Sequence, residues 1–449
     1  MSASELAGDR RRATGSWPRR VGARALRRGV VAAALIGAIG AYANRAHAEE
    51  LLIRGARVHT LGESGTLAKA DVLIRDGRIV RVGADLTAAA GATVVEAAGR
   101  PLTPGLFAGL TAIGIEEVSA EASTRDDSLR LGAPAWEPQW RPEFDVTRAY
   151  NPRSVVVPVS RVEGLTWGLL TPGTGQGGAL IAGQGAAITL DGRFDAELSG
   201  SRTLFVALGG RAGALSGGSR AAQYMLLDQA VAEARSAPPA GVPRLLLPAG
   251  RAALARFLDG GRWAFAVDRA SDIRQVIALA KRYKIQAVLI GAAEGWLVAD
   301  ELASAKIPVL VNALDNLPES FDRVGARLDN AALLSAAGVR IAFIQPNDAS
   351  HNARKIRQVA GNAVANGLPW DAALAGLTSS PAEIFGLAKT RGRIAAGQVA
   401  DLVLWSGDPL EVTTVAERVW IGGSEMPMRS RQTELRDRYL EKLRRGEAR

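Results

Sequence analysis

From Leu51 onward, apolar and polar residues alternate in short runs, and the alternation predicts β-strands. Leu51–Ile53 leads to Gly55 and Val58, Ala70–Ile74 runs into Asp76-Gly77, and Arg78–Val82 closes at Gly83. Asp-Gly between two alternating runs predicts a hairpin, because its turn needs positive φ at both central residues. After Pro101 the pattern changes. Apolar runs at Leu169-Leu170, Leu204–Leu208, Trp263–Val267, Ala287–Ile290, Val309–Val311 and Ile341–Ile344 are separated in places by helical spacing, as over Asp272–Arg282 and Leu297–Ala305. Buried strands separated by helices predict a parallel sheet, and in a chain of 449 residues a (β/α)₈ TIM barrel. About seven strands can be counted, while residues 112–160 and 173–240 are too irregular to place the rest. Strand patterns return at Gly392–Ile394, Asp401–Trp405 and Arg418–Ile421.

The predicted architecture is therefore α/β: a barrel over 101–388, and a small β-sandwich from 49–100 and 389–425. In the tail, 426–449, Leu435, Tyr439 and Leu443 recur at helical spacing and predict a helix docked on the surface. Residues 1–48 read as a cleaved signal peptide. Arg10–Arg12, Arg19-Arg20 and Arg27-Arg28 precede an apolar run from Gly29 to Ala43, and Ala46-His47-Ala48 is a small-x-small cleavage pattern. The run is shorter than the roughly 20 residues of a bilayer span. The paired arginines and weakly apolar core point to the twin-arginine route, and the destination expected is the periplasm. No stable membrane span is expected after cleavage.

The formal charge of +10 changes little. Nine of the 55 basic and two of the 45 acidic residues lie in 1–48, leaving +3 on the remainder and no basic stripe for nucleic acid. With no cysteine, disulfides and thiolate metal sites are excluded.

Three stretches carry a resemblance to a known family: Thr103-Pro104-Gly105-Leu106, then Leu377–Ala382 through Phe385-Gly386-Leu387, then Gly392–Val403. In this order and spacing they resemble the amidohydrolase superfamily, most closely its imidazolonepropionase-like branch. The resemblance implies strand one of the barrel after Leu106, a return to the sandwich at Gly392–Val403, and hydrolysis of non-peptide carbon–nitrogen bonds. It also implies one or two divalent metals at the barrel mouth, which lower the pKa of bound water and polarise a carbonyl.

The implied metal ligands are a His-x-His pair on strand one, a lysine on strand four, histidines on strands five and six, and an aspartate on strand eight. Residue by residue, they are missing. Phe107–Ala112 puts Leu110 and Ala112 where the pair belongs, strand five offers Ala266-Val267, strand six Gly291, and strand eight Pro346 with Asp348 two residues on. A strand-four lysine has no counterpart. The chain has three histidines, and His47 falls in the leader, leaving His59 and His351.

Polar residues still follow the strand ends, where barrel enzymes place their chemistry: Asp268, Arg269, Glu294, Asn312, Asp315, Asn347, Asp348 and His351. Asp348 and His351 form a candidate acid–base couple, or His351 leads into a helix over Ala353–Ala365. Asp268, Arg269, Glu294, Asn312 and Asn347 are candidate binding residues. Asp272 reads as a helix cap. Glu294 reads equally as a polar anchor or a helix-start residue. Gly173–Gly178 and Gly183–Gly185 resemble a phosphate loop but lack its Lys-Ser/Thr ending, and read as glycine-rich turns. Trp136, Trp140 and Trp167 line a pocket or fill the core.

The expectation is a pseudoenzyme that binds a small molecule, peptide or partner without metallo-hydrolysis. No cofactor is expected, with a non-standard divalent metal at Asp348, Glu294 and His351 left open. Two alternatives remain: a hydrolase with a non-standard or metal-free site near Asp348 and His351, and a structural subunit of a homo-oligomer or of a complex with a complete amidohydrolase.

Overall fold

A computed structural model describes residues 50–129, 140–173, 179–315, 317–345 and 350–445. Residues 1–49, Trp136, Thr174–Gly178, Asn347 and Asp348 lie outside the described residues.

Five strands open the described chain: β1 (Glu50–His59), β2 (Thr66–Arg75), β3 (Arg78–Gly83), β4 (Thr93–Glu96) and β5 (Pro101–Pro104). Asp76 and Gly77 take φ of 50° and 75°, so the Asp-Gly turn forms as its chemistry dictates. Gly55, at φ 65°, lies at an irregularity within β1 and does not end the strand.

The barrel staves are β6 (Leu106–Thr111), β7 (Leu165–Leu170), β8 (Ile181–Gly185) with β9 (Ala187–Thr189), β10 (Thr203–Ala207), β11 (Arg262–Val267), β12 (Gln286–Gly291), β13 (Val309–Val311) and β14 (Ile341–Phe343). Strands β10 to β14 are parallel, and β6 pairs parallel with β7. The departure from a regular (β/α)₈ arrangement is the third stave. β8 and β9, separated by Ala186 alone, run antiparallel to β10 and β7 respectively. One apolar cluster joins the staves from within: Phe107, Leu110, Trp167, Leu169, Ala182, Ala187, Phe205, Ala264, Val288, Leu310 and Ala342. This is the filled interior of a small barrel. A larger cluster between strands and helices includes Leu204, Phe265, Ile273, Leu289 and Leu334.

The glycines at Gly183 and Gly185 belong to this stave and not to a phosphate loop. A Cβ on Gly185 would stand 1.9 Å from the Leu170 carbonyl oxygen, and one on Gly183 2.4 Å from that of Phe144. Trp140 and Trp167 are fully buried core residues and line no pocket described below.

After the barrel come β15 (Leu402–Trp405), β16 (Ala416–Ile421) and β17 (Ser424–Glu425). They join the opening strands in one sheet ordered β17-β16-β15-β5-β1-β2-β3, with β4 beside β1. Its core gathers Ile53, Val58, Val72, Leu102, Leu402 and Trp420. Gly392–Ile394 is no strand; the Ile394 amide instead donates to the Thr60 carbonyl.

The family stretches act as joints between sheet and barrel. The Trp405 indole donates to the Thr103 hydroxyl at 2.9 Å, and the Gly105 amide to the Asp401 carbonyl at 2.8 Å. A Cβ on Gly105 would fall 2.2 Å from the Thr166 side chain. Asp401 forms a buried ion pair with Arg391 and accepts from the Gly422 amide.

The tail helix spans Arg431–Arg444 and starts with a capping box at Ser430 and Thr433. Its contacts lie at its start, where Arg354 donates to the Gln432 side chain at 2.8 Å. Leu435 is half-buried, but Tyr439 and Leu443 are exposed, and no residue of the helix is buried. Among the described residues no helix is long and apolar enough to cross a membrane.

Candidate functional site

The carboxyl ends of β10 to β14 open into a cavity of about 630 Å³. Its floor is apolar, formed by Leu110, Phe205, Ala264, Ile290 and Ile344. Its rim carries four carboxylates, Asp268, Asp315, Glu319 and Asp322, against the two guanidinium groups of Arg211 and Arg323.

Arg323 organises the rim. Its Nε lies 2.7 Å from Asp268 Oδ2, and its Nη1 lies 3.3 Å from Asp315 Oδ1 and 3.5 Å from Glu319 Oε2. Asn312 donates to Asp315 Oδ1 at 2.6 Å. Burial pushes the Asp315 carboxyl above its ordinary range, against the opposing pull of Arg323 and Asn312. Burial acts against the Arg323 charge, yet Asp268, Asp315 and Glu319 together hold its pKa above the usual value. Asp322 accepts from the Gly210 amide at 2.6 Å and pairs with Arg220, which also binds Asp272 at 3.1 Å.

Asp268 and Asn312 therefore meet at one cavity, as Asp315 does. Arg269 is exposed and does not line it. Glu294 is a cap: its carboxylate accepts from the amides of Ala270 at 3.0 Å and Gly325 at 3.1 Å. It thus caps the helix Ala270–Tyr283, the task expected of Asp272. Asp272 is turned instead to Arg220 and to the Tyr224 hydroxyl, which donates to it at 2.9 Å. His351 Nε2 lies 2.7 Å from the Glu117 carbonyl oxygen, in a 3₁₀ turn (His351–Lys355) that precedes the helix Ile356–Ala365. Beside it, buried Glu116 accepts from Ser350 at 3.0 Å and pairs with Arg125 at 3.2 Å.

Arg323, Glu319 and Asp322 were not singled out from the sequence. A usable signal was present, since six charged residues occupy the long connection between β13 and the helix Asn330–Ala336.

Residues 269–426 match the sequence model of the amidohydrolase family. Amidohydrolase tasK of Hapsidospora irregularis is 41% identical over 73 residues, which is 16% of this chain and 7% of that protein's length. A crystal structure of an amidohydrolase from Thermotoga maritima MSB8 shares the fold, with a TM-score of 0.73 at 23% identity over 84% of this chain and all of that one. Residues 269–426 thus carry amidohydrolase-family sequence, and the chain shares the fold of a solved amidohydrolase.

The described positions where that resemblance places metal ligands do not fit a metal. Leu110 and Ala266 line the cavity as hydrocarbon, and Ala112 is buried among apolar neighbours. Gly291 has φ 91°, and a Cβ there would stand 2.5 Å from Asp268 Oδ1. A side chain at this position would collide with the carboxylate that Arg323 holds. Among the described residues, no group of three His, Asp or Glu side chains is placed to hold a metal ion.

Proposed function

We propose that this amidohydrolase-superfamily barrel binds a small molecule or short peptide bearing a cationic group, and does not perform the metal-dependent hydrolysis of its relatives. The observation that carries the reading is the cavity itself. Where ligand-bearing side chains belong, it presents Leu110, Ala266 and Gly291, and the space above them is ringed by a surplus of carboxylates. A cation with an apolar body would set the body on the floor and the charge beside Asp315. The chain is exported by its arginine-rich leader, which ends in the Ala46-His47-Ala48 pattern, and matures at Glu49.

The test is calorimetric titration of the mature protein with 4-phenylbutylamine and 4-phenylbutyrate, beside hydrolysis assays on amides and lactams with zinc or manganese added. The reading expects the amine to bind better than the acid, and no metal-stimulated turnover. Metal-stimulated turnover would overturn it.

A further inference from the structure

The opposite end of the barrel holds a second cavity, of about 690 Å³. It lies at the amino ends of the parallel strands, where Arg262 and Gln286 begin β11 and β12, and Pro308 and Arg340 directly precede β13 and β14. Five cations line it, Arg262, Arg274, Lys281, Lys306 and Arg340, against one carboxylate, Glu383. Two of the five are answered: Arg274 pairs with Glu301 at 2.6 Å, and Arg340 with Glu383 at 2.7 Å.

The other three have no carboxylate partner among the described residues. Lys281 and Lys306 lie at helix carboxyl ends, which favour cations without any ligand. Arg262 lies over the Phe385 ring at 5.9 Å, a contact that supplies no counter-charge. It opens a strand, its Nε is buried with no hydrogen-bond partner among the described residues, and its Nη1 reaches only the carbonyls of Gly200 at 3.3 Å and Arg202 at 3.5 Å. Burial depresses its pKa, and no neighbouring charge opposes that shift. A half-buried guanidinium without an anion is costly to keep. Ile277, Ile285 and Ile307 supply an apolar wall beside it.

We propose that this basal cavity binds a small organic phosphate, with its anion facing Arg262, Lys281 and Lys306 and its apolar body on the isoleucine wall. Three cations lacking carboxylate partners suit a group carrying nearly two negative charges, and the planar guanidinium suits its paired oxygens.

The experiment is calorimetric titration of the full mature protein with phenyl phosphate, inorganic phosphate and benzyl alcohol, in wild type and in Lys281→Gln/Lys306→Gln. Both lysines are exposed, so the variant should fold, and an unchanged melting temperature verifies this. Saturable binding of phenyl phosphate, tighter than inorganic phosphate and weakened about tenfold or more in the variant, is expected. Arg262→Gln should abolish it, while Asp315→Asn at the other end should leave it unchanged. Absence of binding, equal affinity for benzyl alcohol, or full affinity in the lysine variant would overturn the proposal.

Discussion

Arg323 and Asp268 form an ion pair of 2.7 Å across the barrel mouth, tying the end of β11 to the connection that follows β13. Both side chains are about 13–14% exposed, so the pair is only weakly screened by water. Asp315 shares the same guanidinium. Arg323→Ala leaves two carboxylates uncompensated and should destabilise the protein by about 3 kcal/mol, measured by urea unfolding. A change below about 1 kcal/mol would mean that the rim is more hydrated than its geometry implies.

Asp315 gives a prediction with a definite sign. Its folded pKa is raised by burial, so its contribution to stability is full below its unfolded pKa and is lost as pH rises through the folded value. Asp315→Asn should therefore melt higher than wild type at pH 7, and the gap should close near pH 4. The same variant should bind 4-phenylbutylamine more weakly. A carboxylate kept at the expense of stability is what a binding residue looks like.

Gly291→Ala tests the remodelled mouth. The added Cβ would meet Asp268 at 2.5 Å from a backbone with φ 91°. A loss of about 1–3 kcal/mol is expected, together with weaker amine binding as Asp268 is displaced from Arg323. Unchanged stability and affinity would show that a side chain fits at this position.

Much of the fold was readable, and the reasons are local. The Asp76-Gly77 turn and the runs at Trp263–Val267 and Ala287–Ile290 carry their own geometry in their residue types. The antiparallel stave β8–β9 was not readable. Its Gly183, Gln184 and Gly185 are set by close backbone approach and by the Gln184 amide donating to the Pro142 carbonyl, which are contacts between distant segments. The site divides in the same way. Asp268 and Asn312 follow strand ends and could be found by position, whereas Arg323 is placed by a long connection that has no periodicity. Glu294 could have been either anchor or cap, and only the amides of Ala270 and Gly325 decide it. Tyr439 and Leu443 show the limit of spacing, which establishes a helix but not a partner for its face.

The joint between sheet and barrel should be stability-critical. Asp401 is buried and Arg391 mostly so, and this burial brings the arginine pKa down to about 10, which leaves it charged at neutral pH. Arg391→Met should cost about 3–5 kcal/mol by leaving Asp401 buried and unpaired, while adding Asp401→Leu should recover part of the loss. Denaturant unfolding of both variants measures this directly.

His59 sets a mild acid sensitivity. Burial first, and Arg57 second, lower its pKa, although Asp371 and Asp408 oppose them. The stability it contributes is present above pH 6.5 and declines as pH falls below that value. Melting temperatures of His59→Gln and wild type, followed from pH 7.5 to 5, should show a shallower decline for the variant.

The most direct test of the central claim is the metal content of the mature protein, by elemental mass spectrometry after mild dialysis. A barrel mouth built on Leu110, Ala266 and Gly291 predicts divalent metal near zero per chain. Stoichiometric zinc, manganese or iron would contradict the account and return the protein to the metal-dependent chemistry that the resemblance implies.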